Sequence, residues 1–421
     1  MNDMKYLTLN EKAVAILQSN DRGGYTVPTS GLYPYQWNWD SVFAAWGFAT
    51  FDKPRAWDEL DTLFASQWDD GMVPHIIFHQ DDPGYFPGPD MWQVNRNPAT
   101  SGISQPPVAA TLAREILAMD PDGLDRVRAL FPKIKAWHRW WAEQRCSQGP
   151  VAITHPWESG RDNCPDWDIG MANVDGSNVG DYQRRDTGHV DASMRPGKED
   201  YDRYLAILYF GRDTGWNQSE IVANGPFLMA DPGITFILLR AHVDLIEIGR
   251  QLGEDVQEIE TWAAALRSSL PMIWNADIGA YDARDLRTGT FSGNIGSGAF
   301  LSLLADESTP ELDTHLQRIW DAVAYGIPSF DPDAVLFDPR RYWRGPTWPV
   351  VNSLIALGLR RAGRFEDEAR LRRETAQLIS KHGFFEYFDP KDATPCGGND
   401  FTWTAAIWLT WAGRDFQEEA D

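Results

Sequence analysis

Apolar residues recurring at three- and four-residue spacing run through most of this 421-residue chain, and that period commits it to helices more firmly than any single motif does. The pattern predicts helices over Ala56–Trp68, Val108–Met119, Leu124–Glu143, Ile234–Leu252, Val256–Trp274, Glu311–Ala324, Val350–Ala362 and Phe365–Lys381. Asp255 and Pro310 mark starts, Gly249, Gly253 and Gly363 mark ends, and Pro271 falls late in the Val256 segment. Helices recur in pairs joined by short breaks. Longer aromatic, Gly- and Pro-rich segments follow alternate pairs, at 21–40, 71–105, 154–195, 280–298, 329–349 and 384–401. Strands alternating with helices are not evident, which counts against a Rossmann-like or barrel sheet. The expected fold is an all-α toroid of paired helices, one domain over residues 1–421, whose long loops build a pocket at one end.

Charge narrows the partners. Acids outnumber bases 61 to 38, a formal charge of −23, and no Lys/Arg-rich run occurs, so nucleic acid and anionic membranes are excluded as expected partners. Met1–Leu17 carries Asp3 and Glu11 without an unbroken apolar core, and no run of 18 apolar residues occurs, so the expected location is the cytoplasm. Cys146, Cys164 and Cys396 are an odd count in a long chain, so reduced thiols are expected rather than a disulfide framework. The sequence leaves the oligomeric state open, a homo-oligomer included.

Several familiar chemistries lack their motifs. Neither G-x-x-x-x-G-K-[ST], G-x-G-x-x-G nor G-x-S-x-G occurs, which sets aside phosphate-cradling loops and the serine nucleophile elbow. His75 and His79 stand four apart, but Ile76, Ile77 and Phe78 between them omit the glutamate of a zinc helix. His75 is read as a pocket-wall hydrogen-bonder and His79 as a loop residue, with no metal expected. Asp175, Asn178, Asp181, Asp331 and Asp333 are read as turn chemistry, since the twelve-residue calcium loop with its terminal Glu is missing.

The aromatic content asks for a purpose: tryptophan, at 20, is as frequent as phenylalanine. Trp137, Trp140, Trp141, Trp408 and Trp411 fall at helical spacing and belong to the core. Three Gly- and Pro-punctuated loops instead pack carboxylates among indoles. They are Tyr33–Asp40, His155–Asp168, and Phe384–Pro390 with Gly397–Trp403. A carboxylate beside indole rings loses water, so its pKa rises and it can hold a proton at neutral pH, as a general acid must. Indole faces stack on the C–H faces of sugars while Asp, Gln and Asn take up the hydroxyls. The loops therefore point to a carbohydrate site, and glycoside hydrolysis needs two such carboxyl groups flanking one bond. One acid per loop suffices. Asp166 and Asp168 are read as braces, Glu158 as a partner of a sugar hydroxyl or of Arg161, and Asp389 as a turn residue before Pro390.

The run Trp157-Glu158-Ser159-Gly160-Arg161-Asp162-Asn163-Cys164-Pro165 resembles the W-E-S-G-x-D-x-S-P signature of glycoside hydrolase family 63, in its mannosylglycerate and glucosylglycerate hydrolase branch, with Cys164 for the usual Ser. The likeness continues in order through Tyr35–Asp40, Gly71–His75, Tyr85–Pro89, Tyr342–Pro349 and Phe385–Pro390, and so covers essentially the whole chain. It implies an (α/α)6 barrel that hydrolyses α-glycosidic bonds with inversion and without a cofactor. Residue by residue, it implies Asp162 as general acid and Glu386 as general base. Trp39 and Asp40 would bind the sugar, with Tyr35, Gln105, Trp343, Trp348 and Trp403 completing the substrate site. Arg195 and Tyr201, assisted by Tyr342, would meet an anionic leaving group, for which the forked donors of Arg are suited.

In its shortness and its Tyr-Phe-Pro-Gly-Pro loop the chain most resembles the glycerate-specific hydrolases, and that resemblance implies glucosylglycerate as the small-molecule substrate, with mannosylglycerate a close competitor and glucosylglycerol or trehalose-like glycosides behind them. A non-catalytic sugar-binding helical protein is the reading from another class; it would keep the tryptophans but not need the paired acids. An epimerase or lyase would favour a histidine, and of the acid-rich loops only the second carries one, His155. The polar, Gly-rich stretch Gly176–Gly197 is the expected lid.

Overall fold

A computed structural model describes residues 8–414 and 416, so the first seven residues of the Met1–Leu17 stretch lie outside the described ones. Helices buried over most of their surface need neighbours on several sides, and this chain places them in an inner ring. They are Asn38–Phe48, Ala109–Met119, Pro232–Leu252, Ser297–Phe300 with its 3-10 continuation Leu301–Ala305, Pro349–Arg361, and Thr402–Ile407 with its π-helical continuation Trp408–Ala412. Each packs on the next, and the Thr402 helix packs on the Asn38 helix, which closes the ring. All residues of Asn38–Phe48 are buried.

Amphipathic helices cover the outside, each against the inner helix beside it in sequence or, for the first, across the ring closure. Leu9–Asn20 lies on the Thr402 helix, Lys53–Ala65 on Asn38, Leu124–Gln144 on Ala109, Gln257–Ser269 on Pro232, Pro310–Asp321 on Ser297, and Phe365–His382 on Pro349. The Phe365 helix shows the outer pattern: a stripe of Leu371, Thr375, Ala376, Leu378 and Ile379 is buried and the rest faces outward. Among the described residues this makes six inner and six outer helices, the (α/α)6 toroid. One buried apolar cluster runs from Ala13 to Ala412, and a second surrounds Tyr35, Trp92 and Trp216 beside the 71–105 segment.

All eight predicted helices are present. Ser269 ends the Val256 segment, because Pro271 turns the next residues into a 3-10 turn. Gly253, in the left-handed conformation, ends the Pro232–Leu252 helix, while Gly249 lies inside it. The main helices that escaped the pattern are Leu9–Asn20, Asn38–Phe48, Lys198–Asp213, Gln218–Asn224, the short Ser297 helix and the Thr402 helix. The Asn38 and Thr402 helices are buried on all sides and show no polar face to set a period. The 21–40 segment is therefore loop only as far as Trp37, and Trp39 and Asp40 stand in a helical first turn.

Short antiparallel strands tie the long loops together. Gln36–Trp37, Ile76–Phe78 and Ala99–Thr100 form one three-stranded sheet, with Gln36 opposite Ile77 and Ile77 opposite Thr100. Tyr387–Phe388 pairs with Pro395–Cys396, and Thr347 bridges to Phe388. Among the described residues no helix is long and apolar enough to cross a membrane.

Candidate active site

The residues that open the inner helices, and the loops that precede them, converge on one cavity of about 940 Å³, its mouth included. Trp39 and Asp40 come from the first turn of the Asn38 helix, Gln105 from just before the Ala109 helix, and Asp162 from the turn after Pro156–Ser159. Tyr342 and Trp343 come from the approach to the Pro349 helix, Glu386 from beside strand Tyr387–Phe388, Trp403 from the Thr402 helix, and Arg195 and Tyr201 from around the start of Lys198–Asp213. These ten expected site residues all line the cavity.

Tyr35 and Trp348 do not. Tyr35 is buried in the second apolar cluster against Phe78 and Tyr85, its hydroxyl donating to the Asp82 carbonyl at 3.3 Å. Trp348 lies behind Trp343, ring centroids 3.8 Å apart and planes 3° apart, and its indole N–H donates to the Tyr342 carbonyl at 3.1 Å. Glu158 also departs from expectation. It is fully buried and pairs with Arg145, not Arg161, while accepting from the Thr154 N–H and hydroxyl. Arg161 is held by Asp231 at 2.7 Å and Asp166 at 3.3 Å, and Asp168 braces Arg344 at 2.5 Å. Asp389 accepts from Arg340 and from the Lys391 N–H across its turn. His75 bonds Ser101 and His79 bonds Gln36.

The two carboxyl groups of interest are held differently. Glu386 is pinned: Oε2 accepts the Gly398 N–H at 3.0 Å, Oε1 accepts the Tyr33 hydroxyl at 3.2 Å, and Arg195 Nη1 stands 3.5 Å from Oε1. Gly397 makes this approach possible, since a Cβ there would come within 2.3 Å of Glu386 Oε2 and its φ is +73°. Burial raises Glu386 above the usual carboxylate range, and Arg195, the Gly398 N–H and Tyr33 pull it back down. Asp162 has no ion pair within 4 Å among the described residues, and burial pushes it up to about 7 against the pull of Arg195. Two residues before it, Gly160 stands close against Trp39, where a Cβ would come within 2.8 Å of the indole. Asp40 is raised well above its ordinary value by burial and then by the charge of Glu386. A protonated carboxyl beside an ionised one is what acid and base roles on a glycoside require.

The walls suit a sugar. Trp39 meets Trp403 edge-on at 5.6 Å and Trp343 at 6.5 Å, and the Trp39 N–H donates to Gln105 Oε1 at 3.3 Å. Tyr342, at φ +43°, holds a left-handed backbone unusual for a tyrosine and lies under Arg195, whose guanidinium carbon is 4.1 Å from its ring centre.

The family model of the mannosylglycerate hydrolase MGH1-like glycoside hydrolase domain matches residues 33–404. The chain belongs to this family. It is a glycoside hydrolase of the family 63 type. The mannosylglycerate hydrolase MGH1 of Selaginella moellendorffii is 43% identical over 94% of this chain and 84% of its own. The glucosylglycerate hydrolase of Mycolicibacterium hassiacum is 34% identical over 96% and 98%. The solved mannosylglycerate hydrolase of Thermus thermophilus, in complex with Tris and D-glycerate, has a TM-score of 0.92 at 44% identity, covering 96% of this chain and 99% of that one.

Within this glycoside hydrolase the sequence had passed over Tyr33, Arg184 and Asp186, which also line the cavity. Tyr33, Tyr35 and Trp37 share a two-residue spacing, so the run gave no ground for choosing Tyr33 over Tyr35. Arg184 and Asp186 lie in a polar stretch without periodicity, and their only signal was its length.

Proposed function

We propose that this glycoside hydrolase cleaves α-glycosides of glycerate with inversion. Asp162, protonated, gives its proton to the glycosidic oxygen, and Glu386, ionised, takes one from a water on the opposite face of the sugar. Trp39, Asp40, Gln105, Trp343 and Trp403 hold the sugar. Arg195, with Tyr201 and Tyr342, holds the glycerate carboxylate.

One observation carries the glycerate reading. Arg195 is 5% exposed, lines the cavity, and its Nη1 forms no hydrogen bond within the protein. A buried guanidinium on the cavity wall, whose Nη1 makes no hydrogen bond and has only the Glu386 carboxylate 3.5 Å away, keeps donor capacity that favours a carboxylate there. The glycerate-hydrolase names of the relatives, and the D-glycerate in the Thermus complex, support the same leaving group. Mannosylglycerate moves ahead of glucosylglycerate, because the relative bearing the first name is 43% identical and the one bearing the second 34%.

Proton NMR of the purified protein with α-mannosylglycerate, α-glucosylglycerate and neutral α-glucosylglycerol tests the reading. Expected are glycerate and the β-anomer of the sugar first, with little turnover of the neutral glycoside. Release of the α-anomer first overturns inversion, and equal turnover of the neutral glycoside overturns the glycerate subsite. In the same reading the 176–197 stretch closes over bound substrate, so trypsin cuts after Arg184 and Arg185 more slowly when substrate is present.

A further inference from the structure

We infer that Asp186 is a positioning residue that holds Arg195 against Glu386, so that the arm meeting the leaving group also sets the state of the base. This rests on the roles proposed above for Arg195 and Glu386. Asp186 opens the short helix Asp186–His189 within the 176–197 stretch, and two arginines of that stretch meet on its carboxylate. Arg184 donates Nε to Oδ1 at 3.0 Å and Nη2 to Oδ2 at 2.6 Å, and Arg195 donates Nε to Oδ2 at 3.1 Å.

A guanidinium is a rigid plane with donors in fixed directions. Once Nε is fixed by Asp186 and the flat face rests on Tyr342, the remaining nitrogens have one arrangement. Nη2 donates to the Tyr33 hydroxyl at 2.5 Å, that hydroxyl donates to Glu386 Oε1 at 3.2 Å, and Nη1 faces the same oxygen at 3.5 Å. Asp186 itself has no hydrogen bond or ion pair to Glu386 among the described residues, so the chain of contacts from it to the base runs through Arg195.

The charges around this unit fix the direction of the effect. Glu386 is faced by Arg195, Tyr33, Tyr342, Tyr387, Asp40 and Asp162, and Asp186 by Arg184, Arg195, Asp162, Tyr85 and Tyr201. Removing the charge of Asp186, with Arg195 unmoved, takes an anion from the site and shifts the acid limb of the kcat/KM profile down. Releasing Arg195 takes a cation from Glu386 and shifts that limb up. The two causes have opposite signs.

The test compares the parent, Asp186→Asn, Asp186→Glu, Arg195→Ala and the Asp186→Asn/Arg195→Ala pair, on whichever glycerate glycoside the parent hydrolyses, by kcat/KM against pH. Asp186→Asn is expected to lower kcat/KM about tenfold, in the range of coupling between contacting residues, and to shift the acid limb up. Asp186→Glu restores part of both. In the Arg195→Ala background Asp186→Asn causes no further tenfold loss and no upward shift of the acid limb. Independent, multiplying effects, or an acid limb that moves down or stays, overturn the inference alone. A parent that hydrolyses neither glycoside overturns the proposed function and this inference with it. Circular dichroism and a melting curve identify a variant that fails to fold, and Asp186→Glu then carries the same comparison.

Discussion

Trp343 lies flat on Trp348, so the indole facing the cavity is backed by an indole that never reaches it. Replacing Trp348 by Ala is expected to destabilise the protein by about 3–5 kcal/mol, as large-to-small changes of a buried aromatic do. KM should rise as well, because Trp343 is no longer held in one plane. Phe at 348 should keep most of both properties. Urea denaturation and steady-state kinetics on the two variants check this.

The activity of the proposed pair follows a bell in pH. Glu386 must be ionised, so activity falls as pH drops through its raised value; Asp162 must be protonated, so activity falls as pH rises through about 7. The kcat/KM profile should therefore bend on its alkaline side near neutrality. Asp162→Asn and Glu386→Gln should each cost about 10²–10⁴-fold, and each should remove its own limb from the residual activity.

Glu158 and Arg145 are both wholly inaccessible to solvent and 2.8 Å apart, and Glu158 also ties down Thr154 in the loop leading to Asp162. Removing one member leaves a buried charge unpaired, which costs about 3–5 kcal/mol. Glu158→Ala should show that loss in urea midpoints and should lower kcat at temperatures where the protein remains folded, because the acid-bearing loop is freed at its root.

His138 and His242 face each other across the Leu124 and Pro232 helices, Nδ1 to Nδ1 at 3.0 Å. Burial pushes His242 down to about 3 and His138 well below its ordinary value, with the neighbouring ring adding to the effect on His138. Both values are depressed in the folded state, so the unfolded chain binds protons first. Stability is fully present above the unfolded value of about 6.5 and is lost as pH falls below it, by about 1.4 kcal/mol per pH unit for each such histidine. Urea midpoints between pH 7.5 and 5.5 should fall less steeply in a His242→Asn variant. An unchanged slope would show that other groups govern acid sensitivity.

Five of the six outer helices, three inner ones and most of the cavity lining were legible because their residues advertise themselves. An amphipathic stripe such as Leu371–Ile379 carries its own period, and Asp162 and Glu386 sit in runs that resemble a known family. The Asn38 and Thr402 helices were not legible, since a helix buried on every face has no period to read. Tyr33 and Tyr35 have the same spacing and chemistry, yet Tyr33 lines the cavity while Tyr35 is buried against Phe78 and Tyr85, contacts from the distant 71–105 segment that no local pattern reveals. Glu158 found Arg145 rather than Arg161 for a similar reason: Arg161 is already occupied by Asp231, far away in sequence.

The inner ring has no free end, since the Thr402 helix rests on the Asn38 helix that began it. Asp162 and Glu386 hang from separate stretches of that circuit, so in the proposed mechanism the gap across which a proton and a water are delivered depends on its circumference as well as on the loops that carry them. A side-chain swap deep in the Ala109 or Pro349 helix, far from any sugar, that widened the circuit would therefore register as slower chemistry before it registered as weaker binding.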